Sequence, residues 1–129
     1  MHKNIIKMQH TAKSIRTFIG AKNFEESRAF YTKLGFEESI ISNNMSYFNV
    51  FEQLGFYLQK AYVKDWVDNS MIFLEVHDVQ AHWEELQNLD LTKQFSNVRV
   101  SSIVVNDWGK EYFLHDPSGI LWHFGQFNK

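Results

Sequence analysis

The sequence predicts an α+β chain built from two tandem strand–helix–three-strand units, and three observations carry that prediction. "FIGAKNFEESRAFYTKLGF" from Phe18 and "FLEVHDVQAHWEELQNLDL" from Phe73 superpose at an offset of 55 (73 minus 18), matching Ile19 with Leu74, Ala21 with Val76 and Leu34 with Leu89. At the same offset Asn23 meets Asp78, and both stand where the apolar pattern changes from a period of two to one near 3.6. Further on, "YFNVFEQLGFYL" from Tyr47 and "YFLHDPSGILWH" from Tyr112 share an offset of 65 (112 minus 47), which sets Tyr57 against Trp122 and Leu58 against His123.

Taken in order, residues 1–13 lie outside the repeat and are open to an extra strand, a short helix or a frayed end. The strand around Phe18 leads to Asn23, whose side chain suits the first free N–H groups of a helix, with Glu26 completing a capping box. Phe24, Ser27, Phe30, Tyr31 and Leu34 make the buried stripe, and Gly35 stands where the helix end wants a left-handed residue. Aromatic and β-branched strands follow, punctuated by "SNN" at 42–44. Residues 60–70 form a polar connection with Val63 and Trp66 as its anchors. In the second half Asp78 caps a helix whose stripe is Val79, Trp83, Leu86 and Asp90. Ten extra residues (65 minus 55) fall between Leu89 and Tyr112, in the polar stretch "LTKQFSNVRVSS", and "DPSG" at 116–119 makes the last turn. The two halves, about 14–60 and 70–127, form one domain over 1–129, because each alone leaves a sheet with one uncovered apolar face.

Composition narrows the function. With 13 Lys plus Arg against 15 Asp plus Glu, the formal net charge of -2 offers no field for nucleic acid or an anionic membrane. The absence of cysteine excludes disulfides, thiolate metal sites and a cysteine nucleophile. No apolar run reaches the length of a membrane span, and the first residues lack the apolar core of a secretory signal, so a cytoplasmic protein is expected. There is no glycine-rich phosphate loop and no G-x-S-x-G elbow.

The duplicated unit, with "EESRAFYTKLGF" early and "DPSGILWHFGQ" late, resembles the vicinal oxygen chelate superfamily of glyoxalase I, bleomycin-resistance proteins and extradiol dioxygenases over residues 14–127. "GFYLQKAYVKDW" and "WGKEYFLHDPSG" are most similar to its bleomycin-resistance and generic glyoxalase-like members. The resemblance implies paired βαβββ modules forming a curved eight-stranded mixed sheet around a cavity, as a homodimer. It also implies that metal-using members draw ligands from four inward strand positions, which here fall on Arg16, Leu58, Met71 and His123.

The chemistry of those four positions speaks against a metal. Divalent ions want imidazole and carboxylate donors, normally three or more from the protein. Only His123 qualifies: Leu58 has no lone pair, Met71 offers a soft thioether, and the Arg16 guanidinium has no acceptor. That charge ~4 Å from a divalent ion would repel it by roughly 8 kcal/mol at an effective dielectric near 20.

Alternation adds Phe18, Phe56, Phe73 and Leu121 to the same inward faces, and Trp66 and Trp108 lie in turns as clamps or lids. Arg16 reads either as an ion pair with Glu75 or as a planar fork for an anionic ligand group; His123 reads either as a hydrogen-bonded wall residue or as a group that contacts ligand or moves a proton. The expected protein is a metal-independent, cofactor-free binder of an apolar or aromatic small molecule. The alternative is a lyase, isomerase or hydrolase with His123 as general acid/base and Arg16 steadying an anion.

Overall fold

A computed structural model describes residues 6–129. Residues 6–17 carry no helix or strand, and residues 1–5, part of the segment expected to lie outside the repeat, fall outside the described residues. The first half runs β1 (Phe18–Gly20), α1 (Phe24–Leu34), β2 (Glu37–Ser42), β3 (Met45–Phe51) and β4 (Leu54–Gln59). After a five-residue helix α2 (Lys64–Asp68) the second half runs β5 (Met71–Glu75), α3 (Val79–Gln87), α4 (Leu91–Gln94), β6 (Arg99–Val100), β7 (Val104–Asn106), β8 (Gly109–His115) and β9 (Leu121–Phe127).

The strands form two mixed sheets, ordered β1-β4-β3-β2 and β5-β9-β8-β6, with β7 also on β8. Among the described residues, nine strands therefore stand where eight were expected. The place of β2 is taken in the second half by two short pieces, β6 and β7, which pair with opposite ends of β8. Both sheets close on a parallel edge, β1 with β4 and β5 with β9, so each helix crosses over one face of its sheet.

Local chemistry fixes the helices as the sequence indicates. Asn23 Oδ1 accepts from Glu26 N–H at 3.0 Å and Asp78 Oδ1 from Ala81 N–H at 3.1 Å. Gly35 ends α1 at φ 104°, and the Phe36 N–H reaches back to Tyr31 O at 3.1 Å. Phe24, Ser27, Phe30 and Tyr31 are buried and Leu34 partly so; in α3, Val79 and Leu86 are buried and Trp83 packs against them. Asp90 is the exception: it is exposed in the left-handed region (φ 53°) and opens α4, whose first residue Leu91 takes the buried place. The anchor of the connection also differs. Val67 is buried, while Val63 and Trp66 stay exposed, because the turn of α2 points Val67 at the first strand and the other two at solvent.

The core lies between the sheets and their helices: Ile19, Phe48, Phe56, Leu58, Tyr112, Leu114, Trp122 and Phe124 all point to the helix side. Through it runs a polar link between the halves. The Tyr31 hydroxyl of α1 donates to Asp116 Oδ2 at 2.6 Å and accepts from the Trp122 indole N–H at 3.0 Å. Asp116 Oδ1 in turn accepts from the N–H groups of Ser118, Gly119 and Ile120 at 2.8, 2.9 and 2.9 Å, so "DPSG" is a turn held by its own aspartate. Ser118 Oγ also accepts from the Lys22 N–H at 2.8 Å.

Candidate functional site

The strand pairing sets which side chains share the open faces opposite the helices. Phe18 is the register partner of Tyr57 in the first sheet and Phe73 that of His123 in the second; Tyr47 pairs with Tyr57 as Phe113 pairs with His123. The late strands of the two halves are thus related by 66 (123 minus 57), one more than the sequence offset. A one-residue slip moves a whole strand's side chains to the other face. Leu58 and Phe56 are therefore not on the open face; both are buried in the core, and Tyr57 takes the position expected for Leu58.

On the first open face the Arg16 guanidinium lies over the Tyr47 ring, 4.2 Å from its centroid, and its Nη1 donates to the Tyr57 hydroxyl at 3.1 Å. Phe18 stacks on Tyr57 with centroids 4.8 Å apart. Arg16 makes no ion pair with Glu75 among the described residues. Gly55 makes room for the arrangement, since a Cβ there would stand 2.1 Å from the Tyr47 hydroxyl oxygen.

On the second face the His123 Nδ1–H donates to Glu111 Oε1 at 3.0 Å, and Glu111 Oε2 accepts from Asn106 Nδ2 at 2.9 Å. This assignment leaves Nε2 as the free ring nitrogen. Phe113 meets the imidazole edge-on at 5.0 Å, and Phe73 lies roughly parallel to it at 6.1 Å. Phe73, Trp108 and Phe127 pack on one another at 5.2 to 5.9 Å, all partly exposed. Gly125 lets the Phe73 ring cross the strand, because a Cβ there would come within 2.4 Å of it.

At the seam of the two halves an apolar groove of about 450 Å³ is lined by Ile15, Arg16, Thr17, Val50, Leu54, Gly55, Phe56, Ile72, Phe73, Leu74 and Trp122. Of the residues expected at a site it brings together Arg16, Phe56 and Phe73, with Phe56 reaching it from the core. His123 and Trp108 stand on the second open face, Leu121 begins the same strand, and Met71 and Trp66 are 66% and 73% exposed. Tyr47, Tyr57, Glu111 and Asn106 were not expected at all. The signal for them is the apolar–polar–apolar run Phe56-Tyr57-Leu58, which matches Trp122-His123-Phe124 only at the offset of 66.

Comparison with solved structures places this arrangement. The bleomycin-binding protein of bleomycin-producing Streptomyces verticillus, in complex with copper(II)-bleomycin, superposes with a TM-score of 0.77 over 93% of this chain and 100% of that one, at 18% identity. The fold is that of the glyoxalase and bleomycin-resistance proteins. The antibiotic-binding protein TnmS3 from Streptomyces sp. CB03234 shares this fold (TM-score 0.68, 18% identity, 92% of this chain and 100% of that one). So does the glyoxalase/bleomycin resistance protein/dioxygenase from Alicyclobacillus acidocaldarius (TM-score 0.67, 19% identity, 95% and 96%). No family model and no curated protein matches the chain in sequence.

The four strand positions at which the resemblance implied metal ligands fall, in the observed register, on Arg16, Tyr57, Met71 and His123. The set does not fit a divalent ion. A guanidinium, a phenol hydroxyl already accepting from it, a thioether and one imidazole supply a single good donor. Glu111 stands beside His123 but spends its oxygens on His123 and Asn106, and no group of three His, Asp or Glu residues converges among the described residues.

Proposed function

We propose that this chain is a metal-independent binding protein for an apolar or aromatic small molecule, working in the cytoplasm as a homodimer whose open sheet faces cover one another. The carrying observation is the character of those faces. Phe18, Phe73, Trp108 and Phe127 present exposed rings, and polar groups are few: Arg16 with Tyr57 on one face, His123 with Glu111 on the other. Aromatic walls with one or two fixed polar groups suit a flat apolar guest oriented at one end. Arg16, steadied by Tyr47 and Tyr57, keeps donors free for a carboxylate on that guest. The antibiotic-binding proteins that share the fold support a capture role, and the size of the exposed apolar surface supports a second copy as the cover.

In this reading the ligand contacts are Arg16, Phe18, Phe73, Leu121 and His123, with Met71, Trp66 and Trp108 at the margins and Tyr57 in place of Leu58; neither nucleic acid nor membrane is a partner. No described helix is long and apolar enough to cross a bilayer. The test is a melting-temperature screen of aromatic carboxylates, neutral aromatics and divalent metals, where a ligand at 100 times its dissociation constant adds about 2.7 kcal/mol. Aromatic carboxylates should stabilise the wild type and lose about tenfold in affinity with Arg16→Ala. Stabilisation by Zn²⁺ or Ni²⁺ alone would overturn the reading, and a monomer by sedimentation would remove the dimer.

One observation favours a second reading, an enzyme. An imidazole held by a carboxylate that is itself held by an amide is the arrangement of an oriented general base. Under it, His123→Gln abolishes turnover of a bound substrate while leaving its affinity within a few fold.

A further inference from the structure

Next to the seam groove a second hollow of about 650 Å³ opens between the end of α1, the β3–β4 turn, the end of β5 and α3. Leu34, Phe36, Val50, Phe51, Leu54, Leu74 and Val76 make its apolar lining; Val50, Leu54 and Leu74 border the seam groove as well. Two of these, Phe51 and Leu54, are 63% and 53% exposed although they flank a tight turn, where small polar residues are the usual choice. The charged groups of the lining are Glu52 and Glu75, with no Lys or Arg. Glu52 is set there by the turn itself: it holds φ 50°, and its carbonyl accepts from Asn49 Nδ2 at 2.8 Å. Two imidazoles, His77 and His82, also border it; burial keeps the pKa of His82 below that of a free imidazole, and its Nδ1 lies 2.5 Å from the Tyr112 hydroxyl. The lining of an adjoining hollow contains both Lys33 and Glu85.

We propose that this hollow is a second binding site, adjoining the seam groove, for a hydrophobic ammonium ion whose apolar body lies on Phe51, Leu54 and Leu74 and whose charge faces Glu52 and Glu75. Its volume falls within the range of small-molecule sites. Carboxylates at the rim of an apolar cavity select a cation by Coulomb attraction in a partly dry setting and reject the isosteric anion. The site is opposite in sign to the Arg16 face, so one protein discriminates two guest classes at two places.

The experiment titrates ¹⁵N-labelled full-length chain with 4-phenylbutylammonium, 4-phenylbutyrate and 4-phenylbutanol, following backbone amide signals. The ammonium should shift Phe51–Leu54 and Glu75–His77 saturably, the alcohol at least tenfold more weakly, and the carboxylate not at these signals. Glu52→Gln combined with Glu75→Gln, both exposed isosteric changes that leave the fold intact, should weaken the ammonium at least tenfold, whereas Arg16→Ala should leave it unchanged. Equal shifts from all three probes, ammonium binding unaltered by the double substitution, or shifts confined to Tyr47, Tyr57, Phe113 and His123 each overturn the proposal. Because the last group reports the open faces, failure here and failure of the capture role are separately visible.

Discussion

Tyr57 and His123 hold the same place in the two halves, each the register partner of the phenylalanine, Phe18 or Phe73, that begins or centres the parallel edge strand. The duplicated positions have taken opposite partners. Tyr57 faces a cation, Arg16, and His123 an acid, Glu111. This asymmetry gives each open face its own polar end and its own experimental signature.

Removing the acid should change which nitrogen of His123 carries the proton. Glu111 holds the proton on Nδ1, whereas an unconstrained imidazole favours Nε2–H. Glu111→Ala is expected to move the ring toward the Nε2–H tautomer in long-range ¹H–¹⁵N spectra and to cost about 1 to 3 kcal/mol in urea unfolding, as a partly buried charge-assisted hydrogen bond is lost. Retention of the Nδ1–H tautomer would refute the pairing.

Gly125→Ala should act on the guest and not on the fold. The new methyl meets the far end of the Phe73 ring, a group able to swing aside toward solvent. Melting is expected to change by less than about 1 kcal/mol, while flat aromatic guests lose affinity several-fold in the same screen. A large destabilisation with binding preserved would show that Phe73 is held for stability alone.

Tyr31→Phe should be among the most costly conservative changes in the chain. It leaves Asp116 Oδ2 and the Trp122 indole N–H without partners where all three residues are essentially fully buried. A loss of about 2 to 4 kcal/mol is expected by urea titration; a loss below 1 kcal/mol would mean that water or a rearranged turn replaces the hydroxyl.

Acid should destabilise the protein in two stages. Burial lowers the pKa of His82, and of His115 with help from nearby Arg99, so the folded state prefers the neutral rings. Their contribution is complete above the ordinary imidazole value of 6.5 and is lost as pH falls through the lower folded values. The Arg28 hydrogen bond then holds Glu38 below its ordinary 4.5, giving stability that is present above that value and disappears as pH falls further. His82→Gln should flatten the first stage and Arg28→Met the second, each read from unfolding midpoints across pH.

The sequence conveyed the repeat, both helices with their caps, the left-handed end of α1 and the turn at 116–119, because each rests on side chains within a few residues of one another. What it obscured was register. Both halves carry adjacent aromatics, Tyr47-Phe48 and Tyr112-Phe113, and matching them by identity set Tyr47 against Tyr112, although Tyr47 is open and Tyr112 buried. The same slip sent Leu58 and Phe56 to the wrong face. Glu111 was hidden for another reason: its bond to His123 joins neighbouring strands across the sheet, and no local spacing announces it. The slip exchanges Leu58 for Tyr57 among the four positions, and the hydroxyl it brings already accepts from Arg16.

The Tyr31–Asp116–Trp122 link ties a helix of the first half to the last hairpin of the second. Swinging one half about the seam to admit a guest would have to uncouple this sealed polar junction and the Ser118 contact at Lys22 beside it. On the capture reading, accommodation comes instead from rotating rings such as Phe73 and Trp108. With the halves locked in this way, the capture role proposed above calls for guests told apart by outline, with little room for closing around them.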